Sequence, residues 1–213
     1  MLNQNLKLNL GCGTVTPDGW INIDSSPNVL VARLPGSQLI KDLFYKLRLM
    51  SENGYNAKWS SSTIFCNLAK NFPKVSPDTC GIIYTSHFLE HIPRDSTLRL
   101  IKKCYIALSS GGILRIAVPD LYVEAKKYVT QVDVAIKSRL QDCSASEQFI
   151  QDMVSRSRRH SHVWMYDFFS LSRILRESGF INIEQKKFHQ SMIEDIKLVE
   201  KREESLFVEC EKP

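Results

Sequence analysis

Five consecutive residues, His87 to His91 with the sequence HFLEH, carry groups that could bind a metal ion and move a proton. Their spacing fits the pattern H-x-x-E-H, in which two histidines hold zinc and the glutamate acts as a general base. This pattern is typical of metal-dependent hydrolysis, here with His87, Glu90 and His91. It requires a helix that holds both imidazole rings on one face.

The residues around HFLEH disfavour such a helix. A predicted strand, Gly81–Ser86, ends directly before the motif, and Pro93 disfavours helical backbone at Ile92. Little more than one turn can form between them. The sequence marks no third ligand, although Glu124 or Glu147 could supply one. We therefore predict no metal at this motif and keep a zinc hydrolase only as an alternative.

Glycines and an acid follow the first two predicted strands. Leu6–Gly11 runs into the sequence LGCG, which contains Gly11 and Gly13, and Trp20–Asp24 ends in a carboxylate. In an open parallel sheet, ligands bind beyond the carboxyl ends of the strands. Glycine lets the backbone approach a ligand closely, and a carboxylate can accept both hydroxyls of a ribose. The pattern predicts a cofactor that contains a ribose.

The connection between these two strands is too short for an ordinary crossover helix. Only TVTPDG separates Gly13 from Trp20, whereas a β-α-β connection needs roughly a dozen residues. Asp24 also follows the glycines much sooner than the ~20 residues of an NAD fingerprint. The spacing disfavours NAD and predicts a first crossover helix that is reduced or absent.

The remaining elements alternate between strands and helices. Apolar residues at helical spacing predict a helix from about Leu98 to Leu108, with Asp95 or Ser96 as its cap, and Ser170–Gly179 is a second helix. The further predicted strands are Ser62–Leu68, Gly81–Ser86, Gly112–Pro119, Phe180–Phe188 and Ser205–Cys210. This order predicts an α/β fold with a seven-stranded, mostly parallel sheet, helices on both faces and an antiparallel pair of strands at one edge.

Length and composition predict one domain over residues 1–213. The chain has 213 residues, of which 43% are hydrophobic and 24% are charged, as in ordinary globular domains.

Two stretches do not fit the simple alternation of strands and helices. Residues 34–53 predict an amphipathic helix, and residues 121–159 predict a long, charged helical segment. We interpret both as helical excursions from this domain that could form a lid.

Charge and cysteine usage predict a globular protein in the cytoplasm. The net charge of +5 permits an anionic substrate without requiring nucleic acid. The six cysteines form no C-x-x-C pair, which is typical of reduced thiols. The first residues lack the basic and apolar regions of a signal peptide, and no apolar stretch approaches the ~20 residues that span a bilayer.

Several motifs, taken in order, resemble the class I (Rossmann-like) S-adenosylmethionine-dependent methyltransferases. LNLGCGTVTPDGWINID looks like their first cofactor motif and ribose acid, closest to small bacterial-type enzymes with GW-x-N-x-D. The segments IIYTSHFLEHI, ALSSGGILRIAVPDL and HVWMYDFFSLSRILRESGF follow in the family's order. The resemblance covers nearly the whole chain and is weakest over 29–61 and 122–160. It implies S-adenosylmethionine as the cofactor, in an enzyme or, alternatively, in a non-catalytic binding protein.

The resemblance also implies roles for individual residues. Backbone groups of the LGCG turn would line the methionine part of the cofactor, Asp24 would hold the ribose, and Asn67 would meet the adenine where an acid is more common. The end of the fourth strand would lie near the sulfonium. The cofactor-binding residues that it implies are Leu10, Gly11, Cys12, Gly13, Asp24, Asn67, Leu68, Ser86, His87 and Phe88.

The segment RRHSHVWMYD, just before the final helix, is expected to face the methyl acceptor. We predict O-methylation of a small-molecule or glycan-like acceptor, with neutral His87 or His162 as the general base and Asp120 as an alternative. Arg159, His162 and Tyr166 are the predicted acceptor-binding residues. The basic cluster around Arg159 is typical of a solvated surface, and its position also permits a phosphate-bearing acceptor, such as a nucleotide- or lipid-linked sugar. RNA is a weaker candidate, because aromatic residues do not interleave with a broad basic face.

Overall fold

A mixed β-sheet organises the protein in a computed structural model that describes residues 5–49, 52–138, 144–153 and 162–213. Within these residues the sheet has seven strands in the order β3-β2-β1-β4-β5-β7-β6. The strands are β1 (Leu6–Leu10), β2 (Ile21–Asp24), β3 (Ile64–Phe65), β4 (Cys80–Ser86), β5 (Leu108–Val118), β6 (Ile181–Lys186) and β7 (Leu206–Glu211). Neighbouring strands from β3 to β5 pair in parallel, whereas β7 pairs antiparallel with both β5 and β6. The predicted fold class is confirmed.

Helices follow most of the strands. They are α1 (Pro27–Val31), α2 (Ser37–Lys46), α3 (Glu52–Asn56), α4 (Arg94–Ala107), α5 (Leu121–Lys137), α6 (Ala145–Met153), α7 (Phe168–Glu177) and α8 (Ile196–Val199). The connection between β1 and β2 is fully described and consists of turns without a helix, as its length predicts. Among the described residues, no helix is both long and apolar enough to cross a lipid bilayer.

Alternating side chains of the central strands bury both faces of the sheet. On one face, Ile83 and Leu114 belong to a large apolar cluster with residues of α4 and α7. On the other face, Tyr84 packs with Trp20 and with the residues around α8. The two clusters match the near-continuous apolar runs of β4 and β5, which are typical of strands covered on both sides.

Local boundaries differ from those predicted by the sequence. Helix α4 begins at Arg94, after Pro93, so Asp95 and Ser96 lie inside its first turn instead of capping it. The third strand is only two residues long, against the predicted Ser62–Leu68. A boundary depends on hydrogen bonds to neighbouring segments, which periodicity does not report.

The first predicted excursion, residues 34–53, is interrupted. Helix α2 starts after Gly36, whose φ of 74° is left-handed, and the backbone leaves helical geometry at Arg48, with φ 57°. Every residue of α2 is at least partly exposed, so its apolar face is not covered by the sheet. In the second excursion, α5 and α6 form a helical pair in which the rings of Tyr128 and Phe149 stack with their centroids 5.0 Å apart. The single domain and the lid role stay predictions.

A buried arginine joins the antiparallel strand to the parallel half of the sheet. Arg115 on β5 has no exposed surface, and its guanidinium holds the Glu200 carboxylate through Nε and Nη2 at 2.8 and 3.0 Å. Nη1 donates to Glu209 of β7 at 3.1 Å, directly across the strand pair. The remaining donors reach the carbonyl oxygens of Gln190 and Lys187 at 2.9 and 3.1 Å. All five guanidinium N–H groups are thereby satisfied.

We expect Arg115→Met to lower the free energy of unfolding by about 3–5 kcal/mol, because two buried carboxylates lose their counter-ion. Urea denaturation measures this loss. The control is Lys127→Met, which removes an exposed ion pair with Glu124 and should cost less than about 1 kcal/mol. Equal effects of the two substitutions would contradict the role assigned to Arg115.

Candidate functional site

The carboxyl ends of β1, β2 and β4 meet at one edge of the sheet. Leu10 is in register with Ile23 on one side and with Thr85 on the other. The residues that follow these positions are the LGCG turn, Asp24 and the segment Ser86–Phe88. Parallel pairing therefore brings together most of the residues that the sequence predicts for the cofactor.

Two glycines give the turn after β1 its shape. Gly11 has a φ of 69°, and a Cβ on it would lie 2.7 Å from Cβ of Phe88. Gly13 has a φ of 55°, with open space around the corresponding position. The first glycine is needed for close packing against Phe88, which follows the end of β4, and the second leaves open space beside the turn. This surface fits a cofactor that approaches the backbone.

Backbone amides fix the orientation of the Asp24 carboxylate. Gly13 N–H donates to Oδ2 at 2.8 Å, and Ser26 N–H donates to Oδ1 at 2.7 Å. The amides of Gly11 and Cys12 both donate to the carbonyl of Ile23, at 2.8 and 3.0 Å. Each carboxylate oxygen of Asp24 keeps acceptor capacity for a further hydrogen bond. The carboxylate is thus already oriented to accept hydrogen bonds from hydroxyl groups.

Two asparagines, which the sequence reasoning did not single out, hold the helix-free connection. The Asn9 amide donates to Oδ1 of Asn22 at 3.0 Å and to the carbonyl of Val15 at 2.9 Å. Asn22 in turn donates to the carbonyls of Pro17 and Trp20, both at 3.1 Å. A connection without a helix has unpaired carbonyls, and these amides satisfy them. Polar residues at inward positions of LNLG and WINID were the available signal.

The predicted adenine contacts lie on a turn after β3. Asn67 is exposed, and its carbonyl accepts from the amides of Lys70 and Asn71 at 3.0 and 2.7 Å. Its side-chain amide remains at the surface. Leu68, by contrast, is 2% exposed and belongs to the large core cluster, so its side chain is a packing group.

His87 is held between a carboxylate and a hydroxyl. Its φ is 47°, and its N–H donates to the carbonyl of Ala117 at 2.9 Å. Nε2 forms a hydrogen bond with Oγ of Ser205 at 2.8 Å, and Nδ1 lies 3.3 Å from Oε1 of Glu90. An imidazole with a carboxylate behind it and a hydroxyl in front is an arrangement suited to proton transfer. Ser205, 118 residues away in sequence, carries no local signal for this contact.

The backbone of HFLEH is not the helix of an H-x-x-E-H zinc site. Leu89–His91 forms a single 3-10 turn, and Ile92 is extended, with φ −116° and ψ 151°. His87 precedes this turn in left-handed geometry, so the two rings are not one α-helical turn apart. The prediction that little more than one helical turn forms before Pro93 is confirmed. Glu124, a suggested third ligand, instead pairs with Lys127 at 2.8 Å.

The predicted acceptor residues do not all reach a surface. Tyr166 has no exposed area, and its hydroxyl donates to Oγ1 of Thr97 at 3.0 Å. Its predicted contact with an acceptor is therefore wrong, because the ring belongs to the core beneath α4 and α7. His162 is half-buried, with its ring centroid 5.1 Å from that of His91. Arg159, with the rest of the basic cluster before His162, lies outside the described residues.

Comparison with known proteins identifies a single family over most of the chain. A family model described as a methyltransferase domain matches residues 10–185. No curated protein sequence matches the chain significantly.

Solved structures share the fold at low identity. A SAM-dependent methyltransferase from Methanosarcina mazei is 14% identical, with a TM-score of 0.51; the match covers 100% of this chain and 94% of that one. The putative methyltransferase in complex with the Haloferax volcanii Trm112 methyltransferase activator is 11% identical, with a TM-score of 0.50; coverage is 99% and 83%.

We expect Gly11→Ala to destabilise the protein by about 2–4 kcal/mol, because left-handed strain adds to a clash with Phe88. Gly13→Ala is the matched control, since it has the same backbone strain in open space and should cost only about 1 kcal/mol. Thermal and urea unfolding of both variants measure the difference. Indistinguishable losses would show that the close approach to Phe88 is not a constraint.

We also expect the Cys12 thiol to resist alkylation. Burial raises the pKa of Cys12 to about 12, and the nearby charge of Asp24 adds to the rise. Because only the thiolate reacts, its labelling by iodoacetamide at pH 8 should be about a thousandfold slower than in guanidinium-unfolded protein. Mass spectrometry of the Cys12 peptide follows the reaction. Labelling of the folded protein at the unfolded rate would mean that the thiol is accessible and ionised.

Proposed function

The chain belongs to the methyltransferase domain family, and from this premise we propose that it transfers a methyl group from S-adenosylmethionine to a hydroxyl of a small-molecule or sugar-containing acceptor. The observation that carries the proposal is the Asp24 carboxylate, fixed by two backbone amides at the end of β2 beside the glycine turn. A ribose is the part of the cofactor that such a carboxylate recognises.

The residues at this edge of the sheet fit the cofactor. In the proposal, the backbone of Leu10 to Gly13 holds the methionine part, Asp24 accepts the ribose hydroxyls, and the Asn67 amide meets the adenine. Ser86, His87 and Phe88 border the reacting end. When bound, S-adenosylmethionine supplies an activated methyl group on a sulfonium, so the protein mainly has to orient the acceptor and exclude water.

His87 serves as the general base in this proposal. An acceptor hydroxyl that takes the place of Ser205 at Nε2 would lie within reach of the ring. Nε2 of His87 would take the proton of that hydroxyl when its oxygen accepts the methyl group that the bound cofactor would supply. The carboxylate of Glu90, 3.3 Å from Nδ1, stabilises the resulting imidazolium. His162, which also lies close to Glu90, is the second candidate base.

The acceptor is assigned only by class. Its small size, its oxygen nucleophile and a phosphate group stay predictions, supported by the His87 arrangement and by the basic sequence around Arg159. A cytoplasmic location is supported by free thiols at Cys12, Cys66, Cys80, Cys104 and Cys210, the cysteines that fall within the described ranges.

We expect S-adenosylhomocysteine to raise the melting temperature of the protein, because a ligand of the folded state stabilises it by about 2.7 kcal/mol at 100 times its Kd. Asp24→Asn should abolish most of this shift. Asp18→Asn is the matched control, since it changes an exposed carboxylate in the same connection and should leave the shift intact. No shift in the wild-type protein at saturating ligand would remove the cofactor assignment.

For the base, we expect His87→Asn to lower kcat by about 10²- to 10⁴-fold while the S-adenosylhomocysteine shift persists. Asparagine is chosen because it tolerates left-handed backbone better than most residues. The measurement is methyl transfer to hydroxyl-bearing acceptors, with His189→Gln as the control for loss of an imidazole elsewhere. Full activity of His87→Asn would exclude His87 as the base.

A further inference from the structure

Two segments far apart in sequence bring three metal-ligand side chains together beside HFLEH. Glu90, His91 and His162 each offer one ligand atom, and these atoms all lie within 4.8 Å of one another. We propose that this cluster is a binding site for a divalent first-row transition metal of the zinc type. The proposal departs from the sequence prediction of no metal, and its ligand set differs from His87, Glu90 and His91. It does not depend on methyl transfer.

The state of Glu90 is the first argument. The residue has no exposed surface, and within the described part of the chain neither carboxylate oxygen accepts a hydrogen bond. The nearest ring nitrogens are Nδ1 of His87 at 3.3 Å and Nε2 of His91 at 3.9 Å. A buried carboxylate needs a cation or hydrogen-bond donors to offset its desolvation. A metal ion at its oxygens supplies that charge directly.

The backbone fixes the third ligand in place. The amides of Val163 and Trp164 both donate to the carbonyl of Glu90, at 2.7 and 3.2 Å. These bonds tie the residues directly after His162 to the 3-10 turn. The His162 ring, with a buried Nδ1, therefore stands 5.1 Å from the His91 ring at an interplanar angle of 53°. The placement is a property of the fold and not of two surface side chains that meet by chance.

The donor set matches known metal chemistry. Two imidazoles and one carboxylate are the protein ligands of several catalytic zinc sites, which leave a further position for water or substrate. Imidazole and carboxylate donors also suit other ions of the series. Ligand atoms that lie about 2.0–2.2 Å from a tetrahedral zinc ion are roughly 3.4 Å apart, so the widest separations in the cluster must shrink by about an ångström or slightly more. His91, whose side chain is 30% exposed, has room to make that movement.

His87 has a different place in this arrangement. It lies against the same carboxylate, and a carboxylate oxygen has lone pairs for both a metal and a ring N–H. A metal-bound Glu90 would still orient the His87 ring, as partners outside the ligand shell commonly do. The H-x-x-E-H pattern thus contains two of the proposed ligands, Glu90 and His91. The third is His162 and not His87.

Metal binding by the full-length chain tests the proposal. Metal-free protein at pH 7.5 is titrated with Zn²⁺ by calorimetry, and with Co²⁺ by visible absorption. We expect one ion per chain, a higher melting temperature with Zn²⁺, and the d–d bands of a site with nitrogen and oxygen ligands. His91→Gln and Glu90→Gln should each weaken Zn²⁺ binding at least tenfold and remove the thermal shift.

Controls separate this site from other histidines. His189→Gln removes an imidazole that is bonded to the carbonyl of Glu200, and it should bind Zn²⁺ like the wild-type protein. His162→Gln should behave like His91→Gln, whereas His87→Asn should retain stoichiometric binding. The absence of binding in the wild-type protein, or binding that survives both the His91 and the His162 substitutions, would overturn the proposal. Neither result bears on the S-adenosylhomocysteine shift.

Discussion

The antiparallel edge of the sheet depends on the ion pairs and hydrogen bonds of the buried Arg115 guanidinium. This group neutralises two buried carboxylates, Glu200 and Glu209, from two different segments, and all of its donors are used. Charges in a protein interior are tolerated only when paired and hydrogen-bonded. This requirement fixes β7 against β5 in one register, and it fixes the segment around α8 against the sheet. The position of Ser205, the residue directly before β7, then follows.

The candidate site inherits that constraint. Ser205 stands immediately before β7, and its hydroxyl reaches Nε2 of His87 at the end of β4. On the other side, the turn after β1 is held by side-chain amides of Asn9 and Asn22 in place of a crossover helix. A short connection leaves the backbone at the strand ends open, and it brings Asp24 next to the glycines. The arrangement of Asp24 beside the glycine turn thus depends on the asparagine amides that stabilise a connection without a crossover helix.

Glu90 links the proposed chemistry to the proposed metal site. Its carboxylate is buried close to His87 and His91 of its own segment and to His162 of a distant one. Its negative charge can therefore stabilise a cation at any of these three neighbours. As a neighbour of His87 it supports a general base, and as a neighbour of His91 and His162 it supports a cation. The two uses are compatible, since a carboxylate has more than one acceptor position.

The sequence alone predicted the fold class, the order of strands and helices along the chain, the helix-free first connection and the broken helix at HFLEH. These features depend on the positions of glycine and proline and on apolar periodicity, which act locally. It also located the edge of the sheet where Gly11 and Asp24 meet. Only the tertiary structure decided that Tyr166 is core, that Ser205 faces His87, and that His162 joins Glu90. These contacts join residues about 70 to 118 positions apart, and packing of whole elements, not any local preference, determines which of them form.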